Sequence, residues 1–105
     1  MIPKCKNEKW KTMMTLLAGS AKDDGCYYYV KNGIVYVHIA VKVNGNTDTK
    51  IFSMPANLRP INENSGVGTG ADMTESAYCQ IWQSGDVMVR SGSGHVSLDM
   101  FYLLP

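Results

Sequence analysis

The run Ile34–Val43 constrains this chain more than any other stretch. Val35, Val37, Ile39, Val41 and Val43 occupy alternate positions, and Ile34, Tyr36, His38, Ala40 and Lys42 fill the positions between. A period of two built from β-branched residues is a strand with one face in a core. Lys31-Asn32-Gly33 precedes it, and residues 26–30, which hold Tyr27, Tyr28 and Tyr29, lead into that turn. Two strand-like runs joined at Asn-Gly spell a β-hairpin. With 105 residues, the chain has the length of one domain, residues 1–105, and buries a core without crosslinks.

The remaining sequence continues in the same style. Asn44-Gly45-Asn46 is a turn, and residues 49–54 read as a strand with Ile51 or Phe52 inward. Pro55 and Pro60 bracket a structured corner, because two prolines in six residues suit neither a helix interior nor a central strand. Residues 62–71 carry Gly66, Gly68 and Gly70 and read as a loop. Residues 74–82 read as a strand with Ala77, Cys79 and Ile81 on one face and Tyr78, Gln80 and Trp82 on the other. Residues 86–90 and 95–104 read as two more strands, separated by Ser91-Gly92-Ser93-Gly94. The N-terminal stretch has two readings. Trp10, Met13, Met14 and Leu17 lie at helical spacing, while Thr12, Met14 and Leu16 alternate as in a strand. Six or seven short strands with Gly-rich turns indicate an all-β, antiparallel sandwich or barrel.

Composition excludes several classes. Ten basic residues against nine acidic give a net charge of +1, without the basic excess of a general nucleic-acid binder. No apolar run reaches the ~20 residues of a membrane helix, and the polar start lacks the apolar stretch of a signal peptide. Cys5, Cys26 and Cys79 are odd in number and match no zinc spacing, so they read as reduced thiols, with Cys5 exposed and the other two in strand-like runs. No metal site and no cofactor is expected. Asp23-Asp24-Gly25 reads as a turn, and Gly66-Val67-Gly68-Thr69-Gly70 lacks the following helix and Lys of a phosphate loop. His38 has no partner nearby in sequence. His95 sits beside a Gly-Ser turn that lacks the Gly-x-Ser-x-Gly elbow of a serine hydrolase.

What remains is surface recognition. Ten aromatics, six of them tyrosine, include three in a row that must place rings on both faces of their strand. Aromatic faces beside Asp, Asn, Gln and Arg suit a sugar, whose C–H face stacks while its hydroxyls find hydrogen-bond partners.

An ordered set of motifs runs from Trp10-x5-Leu16-Leu17-x-Gly19 through the tyrosine-rich strand to Lys31-Asn32-Gly33-x-Val35-x-Val37. Ile51-Phe52-Ser53-Met54-Pro55-x3-Arg59-Pro60, Ile81-Trp82-Gln83-Ser84-Gly85-Asp86-Val87 and residues 96–104 continue it, so it spans nearly the whole chain. In that order the motifs resemble the C-terminal receptor-binding heads of phage and prophage tail-fibre or baseplate proteins. The chain departs from the family at Leu17-Ala18-Gly19-Ser20, where Leu-Asn-Gly-Trp is common, and at Met54-Pro55, where Leu-Pro is.

The resemblance implies a β-sandwich head in the virion tail, made in the bacterial cytoplasm. It implies a homotrimer that binds a bacterial cell-surface saccharide, with other phage tail proteins as partners, no nucleic acid and no membrane insertion. It favours a strand over residues 11–17. Trimer contacts would also explain apolar residues on both faces of Ile34–Val43. The expected ligand-binding set is Trp82 and Tyr78 for stacking, Asp86 and Arg90 for hydroxyls or a phosphate substituent, and His95 for one more hydrogen bond. Two alternatives stand beside this reading. One is a tail or baseplate domain whose aromatics serve assembly only. The other is a glycan hydrolase drawing on Glu75, Asp86 and Asp99.

Overall fold

A computed structural model describes residues 10–16, 21–23, 25–43, 48–70, 75–92 and 94–105. The described residues form nine strands and one short 3-10 turn: β1 (Thr12–Met13), β2 (Ala21–Asp23), β3 (Tyr27–Lys31), β4 (Ile34–Val43), β5 (Thr49–Ser53), the turn Ala56–Leu58, β6 (Asn64–Gly70), β7 (Glu75–Ile81), β8 (Asp86–Ser91) and β9 (Gly94–Leu103). All pairings are antiparallel, in the order β1-β3-β4-β9-β6-β7-β8-β5, with β2 beside β4 past the end of β3. The chain is therefore all-β, as its sequence indicates. One sheet curls over its own concave face like half a barrel. Tyr28 of β3 and Phe52 of β5 approach across the opening, with ring centroids 6.1 Å apart.

The hairpin β3–β4 follows from its turn. Asn32 and Gly33 both have positive φ, 53° and 75°, which a two-residue loop needs to match the twist of its strands. That turn fixes Tyr29 opposite Tyr36 and Tyr27 opposite His38. On β4 the alternation is obeyed throughout: Val35, Val37, Ile39, Val41 and Val43 are all buried. β9 lies on the other side of β4 over ten paired residues and contributes Val96, Leu98, Met100 and Tyr102 to the same core. Ala77, Cys79 and Ile81 of β7, Val87 and Val89 of β8, and Ile51 of β5 complete it. Ile51 is thus the inward residue of β5, at a register irregularity opposite β8. The Pro55–Pro60 corner crosses one end of the core, where the Tyr102 hydroxyl donates to the Leu58 carbonyl.

Of the two readings of the N-terminal stretch, the described part takes the extended one. Residues 10–16 contain no helix: Met14 is buried, but Trp10 and Met13 are both 52% exposed, so the helical stripe does not share a face. Thr12 and Met13 pair as a short strand with Tyr28 and Tyr27, and the Met14 amide donates to the Cys26 carbonyl. One sequence expectation is corrected, that for residues 62–71. Residues 64–70 are strand β6, paired along its whole length with β7. Its glycines face inward because β6 passes too close to β9 for any side chain there. A Cβ on Gly68 would lie 2.2 Å from the Ser97 carbonyl oxygen and 2.4 Å from the Leu98 Cβ. Glycine in a strand marks such a close approach as well as it marks a loop. Asn44-Gly45-Asn46, Cys5, Leu17 and Asp24 lie outside the described residues, and among those described no helix is long and apolar enough to cross a membrane.

Cys26 fills the gap between β2 and β3 along β4. Its thiol accepts from the Ala40 amide (3.4 Å) and donates to the Ala40 carbonyl (3.6 Å). Cys26→Ala takes that partner from both backbone groups in a partly buried place and leaves a small cavity, so it lowers unfolding free energy by about 1 kcal/mol, measurable by urea denaturation.

Candidate functional site

The outer face of β7 and β8 gathers four of the five residues singled out from the sequence. Tyr78, Gln80 and Trp82 alternate outward on β7, and Asp86 and Arg90 point the same way from β8. Gln80, almost fully buried, is the hub. Its Nε2 donates to the Tyr78 hydroxyl (2.8 Å) and to the Glu63 carboxylate (3.0 Å). Its Oε1 accepts from Trp82 Nε1 (3.1 Å) and from the Arg90 guanidinium. Arg90 also donates to Asp48 (2.8 Å) and lies over the Trp82 ring, 5.6 Å from its centroid. Asp86 is paired with Lys50 at 2.9 Å. His95 is placed elsewhere, on β9 opposite Lys42, with β6 between β9 and β7 in the sheet. The polar ends of Tyr78, Trp82 and Arg90 are thus engaged with each other through Gln80. This network ties β6, β7 and β8 together, and a sugar stacking on Trp82 would compete with Arg90 for the ring.

A second outward surface is open. Two neighbouring cross-strand rows on the outward face of β3, β4 and β9 are rich in aromatic rings: Tyr27–His38–Asp99 and Tyr29–Tyr36–Phe101. They line a shallow groove of about 310 Å³. Tyr29 and Tyr36 stack with centroids 4.8 Å apart and planes 13° from parallel, and Phe101, 64% exposed, continues the row at 6.3 Å. Tyr27 stacks on His38 at 4.9 Å. His38 Nδ1 lies 2.6 Å from the Asp99 carboxylate, so its partner comes from 61 residues away in sequence. Trp10 stands edge-on to the tyrosines at one end, at 88° to Tyr27 and 84° to Tyr29. With Tyr29 stacked on Tyr36 and Tyr27 on His38, the groove offers apolar ring edges, the exposed Phe101 ring, three phenol hydroxyls and an imidazole–carboxylate pair. That combination packs an apolar patch of a ligand against the rings and hydrogen-bonds its rim.

Half of this surface was visible in the sequence. The Asn32-Gly33 turn sets Tyr29 against Tyr36 and Tyr27 against His38, and the alternation alone sends all four outward. The β9 half was not visible, because nothing local pairs Asp99 with His38.

The thiols do not belong to either surface. Cys26 and Cys79 are both buried. Burial, helped by the neighbouring Cys26, pushes the Cys79 thiol up from 9.0 to about 12. Burial, helped by Tyr28, pushes the Tyr102 phenol up from 10.0 to about 12. Both shifts keep a proton on the folded chain that the unfolded chain releases. Stability is therefore fully present below pH 9, falls as pH rises from about 9, and goes on falling to about 12. Urea midpoints measured from pH 8 upward check this, and Cys79→Ala moves the onset toward 10.0, where Tyr102 begins. Among the described residues no group of three His, Cys, Asp or Glu side chains is placed to hold a metal ion. No family model matches this sequence, and no curated protein matches it significantly.

Proposed function

We propose that this chain is a non-catalytic recognition domain that binds a bacterial cell-surface saccharide, as the receptor-binding head of a phage or prophage tail. The observation that carries this reading is the pair of cross-strand rows Tyr27–His38–Asp99 and Tyr29–Tyr36–Phe101, which form an aromatic groove with polar ends. The order of motifs along the chain supports the tail context. Binding is favoured over hydrolysis because, among the described residues lining the groove, Asp99 is the one carboxylate. Glycoside hydrolysis ordinarily uses two flanking the bond. Asp86 of β8 is held by Lys50 of β5, and Glu75 is at the exposed start of β7. The binding set therefore moves from the Tyr78, Trp82 and Arg90 network to the groove.

The head acts as a homotrimer in this reading. Ile34 and Leu103 pair beside the groove on the same outward face, and Leu103 is 64% exposed. A neighbouring copy on that row leaves the groove at the subunit boundary, where three weak sites act together. The same exposed row favours a second reading, in which the face serves tail or baseplate assembly without a free ligand.

Two measurements decide between them. Light scattering gives three times 11.6 kDa for the trimer. An array of bacterial-surface saccharides retains the chain if it is a receptor-binding head. A trimer retained by no saccharide favours assembly alone, and a monomer retained by none contradicts both readings.

A further inference from the structure

The end of the groove at Trp10 is built differently from the rest. Trp10 stands nearly perpendicular to both Tyr27 and Tyr29, with centroids 5.8 Å and 4.8 Å away, so the rings make a corner. One face of Tyr27 is covered by His38. A cation occupies the corner: Lys11 Nζ lies 4.3 Å from the Tyr27 centroid and 5.5 Å from that of Trp10. In the same cross-strand row, the Asp99 carboxylate, 80% exposed, lies beyond His38. Aromatic rings set at right angles with a cation on their faces make a site for positive charge.

We propose that the saccharide bound here carries a quaternary ammonium substituent, and that Trp10 and Tyr27 form its seat. The inference rests on the groove being a saccharide site. The Lys11 ammonium lies in the seat and gives it up on binding. The exchange has a physical direction. A primary ammonium is compact and strongly hydrated, so it regains water when displaced. A quaternary ammonium is weakly hydrated, loses less on leaving water, and gains more against the ring faces. Lys11 thereby selects against ligands that bring no cation of their own, because they cannot replace its contact with the rings.

The test is a titration with choline chloride followed by the two tryptophan indole N–H signals in NMR spectra. Its neutral isostere, 3,3-dimethylbutan-1-ol, is the control. Choline shifts the Trp10 signal and leaves Trp82 unmoved, and the neutral alcohol shifts neither. Lys11→Met removes the resident cation and tightens choline binding about 3- to 10-fold, and Lys11→Gln does the same if the methionine variant folds poorly. Equal responses to choline and the alcohol overturn the proposal, as does no response at Trp10. The saccharides retained on the array are titrated into the same sample. If neutral ones move the groove signals while choline moves nothing, the cation seat is wrong and the groove stands. If neither moves them, the saccharide reading of the groove has itself failed.

Discussion

Gly68→Ala lowers the free energy of unfolding by about 3 kcal/mol, at the upper end of what overpacking costs. The added methyl group would meet the Ser97 carbonyl oxygen at 2.2 Å, the Leu98 Cβ at 2.4 Å and the Leu98 Cα at 3.1 Å. These are backbone and backbone-proximal atoms of β9, and β9 is held over ten pairs by β4. Neither strand can retreat without opening the core. Gly66 is the internal control. A methyl group there meets first the Met100 Cγ at 2.7 Å, part of a flexible side chain that can turn aside. Gly66→Ala accordingly costs about 1 kcal/mol. Urea denaturation of the two variants gives the comparison. Equal stabilities would mean that β6 does not cross β9 as closely as the structure has it.

Tyr36→Ala weakens saccharide binding by about 30-fold, the effect of losing a central aromatic anchor worth about 2 kcal/mol. Tyr36 is the middle of its row, stacked on Tyr29 and tilted against Phe101, so its removal opens a gap in the stacking floor and strips one hydroxyl. Trp82→Ala, on the far side of the sheet order, leaves that affinity within about 2-fold, because Trp82 serves the Gln80 network and not the groove. Titration of both variants with a saccharide retained by the wild-type chain measures the contrast. The reverse pattern would return the site to β7 and β8.

The hairpin, the long strand and the buried thiols were legible because each is encoded locally. Asn32-Gly33 permits one turn type, and that turn sets the register of five residue pairs. Strand β6 was not legible. Its glycines alternate with Ser65, Val67 and Thr69, but alternate glycines spell a loop as readily as a strand, and the reason for Gly68 lies on β9, about thirty residues away. Trp10, Met13 and Met14 are ambiguous for a related reason. A two-residue edge strand owes its conformation to β3 rather than to its own pattern. The candidate site divides along the same line. Tyr78, Trp82, Asp86 and Arg90 share a face because they alternate on two strands joined by a short turn. That Gln80 engages the polar ends of Tyr78, Trp82 and Arg90 is a matter of tertiary packing. His95 lies across β6 on β9, and the groove exists only once β9 lies beside β4.

Whether the outer face of β3, β4 and β9 takes the ligand is decided by an NMR titration of the isotope-labelled chain with a saccharide retained on the array, mapping the shifted signals onto the sheet. If the groove is the ligand surface, the shifts concentrate at Tyr27, Tyr29, Tyr36, His38 and Phe101. Shifts concentrated at Tyr78, Trp82 and Arg90, with the groove unmoved, overturn that assignment.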